Sequence, residues 1–327
     1  MSKLITVAIV LLALAAPIDA QIADTYSIVA RDPETGELGV AVQSHWFSVG
    51  SIVPWAESEV GAVATQSIVD PSYGPLGLAL MRAGKSAPDA LKSLVATDAQ
   101  GDFRQVAMID AKGNVAAHTG AKAIIAAGHH VGTHYSVQAN LMSNEKVWPA
   151  MATAFENTKG DLADRLLAAL DAAENAGGDI RGKQSAALIV VRGRTTGHAW
   201  SDRLFDLRVD DAPDPLRELR RLVRLQRAYN FMNRGDELAA ESKWDEAMEQ
   251  YSRGAALAPE IEELPYWKAV TLFTAGREDE ALPIFREVFA RNPAYIELTK
   301  RLPASGFLPD DPKKIERILS VRAIQKR

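Results

Sequence analysis

Short apolar runs broken by polar turn clusters fill the first two thirds of the chain, and apolar positions at helical spacing fill the last third. Thr25–Ala30 and Leu38–Gln43 read as two strands around Asp32-Pro33-Glu34-Thr35-Gly36, a turn cluster. A third strand fits Gly61–Ser67. Tyr73-Gly74-Pro75 then opens an apolar helix from Leu76 to about Ala83, and Ser86 has the position of an N-cap for a second helix reaching about Val95. Strands return at Gln105–Asp110 and Asn114–His118 around a Lys112-Gly113 turn, and again at His134–Gln138. Helices follow at about Glu145–Glu156 and Leu162–Ala173. Gln184–Val191 is almost continuously apolar, the pattern of a strand buried on both faces. This order of strands, two helices, strands, two helices, strand predicts an α+β domain. Its two sheets pack face to face with helical layers outside.

Asp210-Asp211-Ala212-Pro213-Asp214-Pro215 marks a boundary. Beyond it, Leu216–Arg227 is helical, with Leu216, Leu219, Leu222 and Val223 on one face and Arg217, Arg220, Arg221 and Arg224 on the other. We read it as a connecting helix with a solvated face; binding to a membrane surface is the alternative. The remainder repeats at a shift of about 34 residues. Ala247 then falls on Ala281, Tyr251 on Phe285, Ala255 on Phe289, Pro259 on Pro293 and Ala239 on Phe273. Small residues allow close helix crossing, aromatics fill the gap, and proline closes the pair. Spacing and residue types resemble tetratricopeptide repeats. Two units are clear where about three are needed for independent stability, so the pair is expected to lean on neighbouring helices.

The N-terminal segment modifies this layout. Lys3, an apolar run from Leu4 to Ala16, Pro17 and a small-residue exit at Ala20 read as a cleaved signal peptide over residues 1–20, too short for a membrane span of roughly 20 apolar residues. Cutting after Ala20 leaves Ile18 where a small residue is usual; Ala13-x-Ala15 is a second exit, and a retained anchor is the alternative reading. The expected organisation is signal peptide 1–20, α+β domain 21–211, connecting helix 212–228 and helical repeats with a tail over 229–327, in a periplasmic or secreted protein with no stable membrane span after cleavage.

Composition narrows the chemistry. The leader carries one lysine and one aspartate (Lys3, Asp19), so the net charge of −5 holds with or without it. Nothing in that balance argues for nucleic acid. The chain has no cysteine, which excludes disulfides, thiolate catalysis, cysteine zinc sites and lipoprotein acylation. Gly-rich phosphate loops and the Gly-x-Ser-x-Gly elbow are absent. His129, His130 and His134 invite a metal reading, but their spacing suits a helix and the glycines around them do not. We therefore expect no metal and no cofactor.

Polar residues gather at strand ends. Gln43, Ser44 and His45 precede Trp46 and Phe47; Gln66 and Ser67 close the third strand; His118 ends another. Thr25 heads the first strand soon after the leader. A threonine that becomes the N-terminus is a complete nucleophile, because its own α-amine can act as the base.

The opening Thr25–Phe47, Gly61–Ser67, Tyr73-Gly-Pro-Leu-Gly77, His118-Thr-Gly120, Tyr135–Asn140 and Gln184–Leu188 resemble, in order, the bacterial "domain of unknown function 1028" family. The resemblance covers about Thr25 to Asp211. It implies a four-layer αββα sandwich of the N-terminal-nucleophile (Ntn) hydrolase type, here followed by the all-α tetratricopeptide-like segment. It also implies Thr25 as nucleophile on a small amide or peptide, with Gln43, Ser44, Gln66, Ser67 and Asn140 as oxyanion or substrate donors. His45 and His118 are further site candidates. One position departs: Ala139 stands where the family carries glycine. That mechanism requires a second cleavage at Asp24-Thr25. Two other readings follow from the residues: an exported binding or scaffold protein that engages a protein or peptide partner through the repeats, and a hydrolase using internal Ser44 and His45. The apolar sandwich and the short repeat array also leave room for a homodimer.

Overall fold

The computed structural model describes residues 21–23 and 25–321; the expected leader, residues 1–20, lies outside them. Two sheets form, antiparallel throughout. In chain order the strands are β1 (Gln21–Ala23), β2 (Thr25–Arg31), β3 (Leu38–Ser44), β4 (Pro54–Glu57), β5 (Gly61–Val69), β6 (Arg104–Asp110), β7 (Val115–Thr119), β8 (Gly128–Gly132), β9 (Tyr135–Ala139), β10 (Ser185–Val191) and β11 (Arg203–Val209). The first sheet runs β1-β5-β6-β7, with β4 also on β5; the second runs β11-β10-β3-β2-β9-β8. The chain passes from the first sheet to the second between β1 and β2.

Strand alternation sorts side chains into layers. Val29, Val40, Val42, Ala62, Ala64, Ile109 and Ile189 meet between the sheets. On the outer face of the first sheet, Val63, Val106 and Met108 receive α1 (Tyr73–Arg82) and α2 (Ala87–Thr97) through Leu78, Met81 and Leu91. Tyr26, Ile28, Val137 and Leu188 face outward from the second sheet against α3 (Val147–Asn157) and α4 (Leu162–Asn175). Gly74 in α1 is fixed by contact: a Cβ there would lie 2.3 Å from the Trp55 ring. The Ser86 side chain caps α2 by accepting from the Asp89 amide at 3.3 Å. Ser86→Ala should lower stability by about 1 kcal/mol in urea unfolding.

The helical region holds α5 (Pro215–Ala240), α6 (Trp244–Leu257), α7 (Glu263–Thr274), α8 (Glu278–Arg291), α9 (Ala294–Arg301) and α10 (Pro312–Ser320). Here the structure corrects one expected boundary. The connecting helix does not end near residue 228; it continues to Ala240 as one helix. Leu216, Leu219 and Val223 belong to the sandwich core, whereas Ala228, Met232 and Leu238 belong to the helical core. One rigid element therefore serves both. Gly235 does not break it, because its missing side chain makes room for Tyr251, whose ring lies 2.5 Å from where a Cβ would stand. Three arginines of that face are paired, Arg220 with Asp171, Arg221 with Glu218 and Arg224 with Glu260, and Arg227 pairs with Asp161 and Asp164. No described helix is long and apolar enough to cross a membrane.

Candidate active site

The space between the sheets is apolar at one end and polar at the other. Thr25 on β2 stands opposite Ser44 on β3, which stands opposite Ser185 on β10. All three are fully buried, as are Ser27, Gln66, Gln105, Ser136, Gln138 and Asn140. Inward positions that carry valine or alanine in the apolar half carry hydroxyls and amides here.

Ser27, Gln66, Gln105, Ser136, Gln138 and Asn140 form one hydrogen-bonded ladder across the sheets, whereas Ser185 donates to the Trp46 carbonyl. Ser136 donates to Gln138 Oε1 at 3.0 Å, Gln138 Nε2 to Ser27 Oγ at 2.6 Å, and Ser27 to Gln66 Oε1 at 2.6 Å. Gln66 Nε2 donates to Gln105 Oε1 at 2.7 Å and to the Thr25 carbonyl at 3.1 Å. Asn140 converges on the same two groups: its backbone N–H reaches the Thr25 carbonyl at 3.1 Å and its Nδ2 reaches Gln105 Oε1 at 2.9 Å. Gln105 Nε2 in turn donates to the Ala139 carbonyl and to Thr119 Oγ1, both at 2.9 Å. The Thr25 peptide is thus held from both sheets at the head of its strand.

Two strained backbones directly follow ladder residues, one after Gln66 and one after Asn140. Ser67, paired with Ala23 across the β1–β5 edge, has φ 74°, and Leu141, directly after Asn140, has φ 55°. Such left-handed conformations cost about 1–3 kcal/mol each for non-glycine residues and gather at functional sites. The Ser67 hydroxyl and Asn140 Oδ1 are also buried without a hydrogen-bond partner. Buried polar atoms are paired in the great majority of cases, so the Asn140 orphan, whose amide also reaches the Thr25 carbonyl at 3.5 Å, suits a group that a ligand or a rearranged terminus would engage.

The loops at this end carry exposed apolar side chains: Phe47, Phe103, Ile124, Ile125 and Ile180. They follow or precede the polar strand ends, and backbone bonds tie them together, from Leu141 N to the Ile124 carbonyl and from Ile180 N to the Leu141 carbonyl. An apolar rim thus marks the polar end of the sandwich, whose ladder residues are themselves fully buried.

The structure brings Thr25, Ser44, Gln66 and Asn140 into this inward layer, with Ser67 at its edge. It separates three other candidates. Gln43 stands opposite Tyr26 and faces the helical layer, where both its amide atoms are buried without partners. His118 sits on the outer face of β7, with Nε2 2.9 Å from the Gly101 carbonyl. His45 lies just past β3, its Nδ1 3.4 Å from the Lys183 carbonyl and its backbone N–H on Asp179. The amide hydrogens of Gln66 and Asn140 are spent on Thr25 and Gln105, so these residues hold the threonine rather than offer free donors. Ala139 is no obstacle: its side chain joins the outer core, and only its carbonyl meets the ladder. Ser27, Gln105, Thr119, Ser136 and Gln138 were missed, although each is a polar residue at an inward position of an otherwise apolar strand.

At the outer end of the ladder Thr119 meets His129 Nδ1 at 2.8 Å. His129 and His130 lie on β8 with side chains on opposite faces, while His134 stands in the turn with Nδ1 3.2 Å from the Gly113 carbonyl. Thr119 accepts from Gln105 and keeps both a second lone pair and its own proton, so it can meet either tautomer of His129. Partial burial, then His118 and His130, hold the His129 pKa below the ordinary value of about 6.5. With its folded pKa depressed, His129 contributes stability above pH about 6.5, and that contribution is lost as pH falls through the folded value. The ring keeps a face in solvent, so the contribution is small. In an NMR titration the His129 midpoint should lie below 6.5; a midpoint at or above 6.5 in the unaltered protein contradicts this arrangement.

The model of the "Family of unknown function (DUF1028)" matches residues 25–219. The crystal structure of protein SPO2555 from Silicibacter pomeroyi, described with the same family, is similar at 32% identity and a TM-score of 0.56, over 61% of this chain and 84% of that one. No curated protein matches the chain.

Proposed function

The chain belongs to the family of unknown function DUF1028, and from that premise we propose that it is an exported, periplasmic or secreted, amide hydrolase of Ntn type with Thr25 as nucleophile. One observation carries the reading: a threonine at the head of a strand is clamped from both sheets in a ladder of amides and hydroxyls. A hydroxyl in such surroundings needs a base from outside the ladder, and an α-amine released on Thr25 itself would supply it. The Ntn-type sandwich resembled in sequence agrees with the helix, sheet, sheet, helix packing.

In this mechanism cleavage between residues 24 and 25 frees the amine. Thr25 Oγ attacks the substrate carbonyl carbon while the amine takes its proton. The tetrahedral oxyanion receives the Ser67 hydroxyl, and Asn140 Oδ1 accepts a proton of the α-ammonium. Collapse breaks the C–N bond, and the ammonium protonates the leaving amine. The amine then deprotonates water, which hydrolyses the Thr25 ester and releases the acid. The apolar rim favours small amides or peptides with an apolar group beside the scissile bond.

The test is a protein that starts at Thr25, made by a fusion cleaved without residual residues, beside one that starts at Gln21. Both are offered acyl anilides and short N-acyl peptides. Turnover by the first only supports the proposal; no turnover by either sinks it. A second reading, a binding or scaffold protein working through tetratricopeptide-like repeats, is favoured by the way α6, α7 and α8 build a core of Tyr251, Tyr266, Phe273 and Phe285 with α5. It predicts partner capture that survives Thr25→Ala.

A further inference from the structure

A cavity of about 430 Å³ opens in the helical region, away from Thr25, and its walls include Trp244, Trp267, Phe307 and Asp236. The Trp267 and Phe307 rings lie 5.7 Å apart at 58°, forming a corner rather than a closed stack. Phe307 is 56% exposed, so its ring is open to a ligand. One oxygen of Asp236 accepts from Tyr251 at 2.6 Å, and Asp236 makes no ion pair among the described residues. The nearby cations are engaged elsewhere: Arg234 with Glu237, Lys243 with Glu241, and Arg277 with Asp245 and Glu280.

We propose that this cavity binds a quaternary ammonium alcohol of the choline type. The Trp267–Phe307 corner, Trp244 in the same wall and one carboxylate attract a cation through ring quadrupoles and charge. The choice among cations follows from the shortage of charged acceptors. Thr274 donates to the Phe307 carbonyl at 3.1 Å and Thr271 to Tyr251 at 3.5 Å; their hydroxyls keep lone pairs, and the second Asp236 oxygen is the anionic acceptor on the wall. A primary ammonium brings three donors and loses its hydration there; a trimethylammonium group brings none. A ligand with its own carboxylate, such as betaine, would meet Asp236 with like charge.

The experiment measures tryptophan fluorescence of the full chain during titration with choline chloride, betaine and 3,3-dimethylbutan-1-ol, the neutral isostere of choline. Choline should bind roughly three- to tenfold more tightly than either, and Asp236→Asn should remove that advantage. Phe307→Ala, at an exposed ring that the fold can spare, should weaken choline binding by a similar factor. Equal binding of the neutral isostere, or choline binding unchanged in both variants, overturns the proposal. The repeats' reading as a protein-binding module does not enter this test.

Discussion

Gln105→Leu should lower the unfolding free energy by about 3–5 kcal/mol, the largest effect expected of any single inward substitution that preserves volume. Gln105 is fully buried and joins the two sheets at the polar end. Its Oε1 accepts from Gln66 and Asn140, and its Nε2 donates to the Ala139 carbonyl. Leucine would fill the space but leave Asn140 Nδ2 and the Ala139 carbonyl short of partners and weaken Gln66. Each orphaned buried group costs about 1–3 kcal/mol, against a total stability of about 5–15 kcal/mol for an ordinary domain. Gln184→Leu is the control: its amide meets Asp211 at 3.2 Å in an exposed position, and its loss should change stability by less than about 0.5 kcal/mol. Urea unfolding of the two variants decides. A Gln105→Leu protein as stable as the unaltered one would mean that the ladder is not the connection between the sheets.

The fold was most legible where one physical signal dominates. β3, β6 and β10 are buried at every position, and a continuous apolar run marks each of them. Ser86 was readable as a cap because the oxygen, the following Pro88 and the apolar periodicity agree. The strands that escaped the sequence are short or at edges, where pattern is weakest. β4 begins with Pro54, β8 is His129, His130 and Val131 between glycines, and β11 alternates with Arg203, Asp206 and Arg208. Their existence depends on a neighbouring strand, which local propensity does not register. The site was half legible for a related reason. Polar residues at strand ends pointed to the correct end of the sandwich, but facing is decided by register. One residue of offset puts Ser44 beside Thr25 and Gln43 in the helical layer. Gln105 looked like an ordinary strand start until pairing with Gln66 placed it at the centre.

Thr25→Ala should reduce amide turnover by at least about 10⁴-fold in a chain that starts at residue 25, while lowering the unfolding free energy by only about 1–3 kcal/mol. The asymmetry follows from what the residue does in each state. Its backbone contacts survive the change: Gln66 and Asn140 bind its carbonyl, and β3 and β9 flank its strand. Alanine keeps these backbone contacts and gives up only what the buried hydroxyl and methyl contribute. What alanine removes is the oxygen that forms the ester. Thr25→Ser, which keeps that oxygen, should retain turnover within about 100-fold, separating loss of the nucleophile from loss of the terminus. Asn140→Asp offers a second check. It replaces the Nδ2 donor to Gln105 with a carboxylate beside the α-ammonium, so the amine's pKa should rise and the rate–pH profile should shift to higher pH. Retained turnover in Thr25→Ala would remove threonine from the mechanism whatever the Asn140 variant does. Turnover lost in both Thr25→Ala and Thr25→Ser, with folding intact, would point to the β-methyl group as the element that sets the hydroxyl's rotamer.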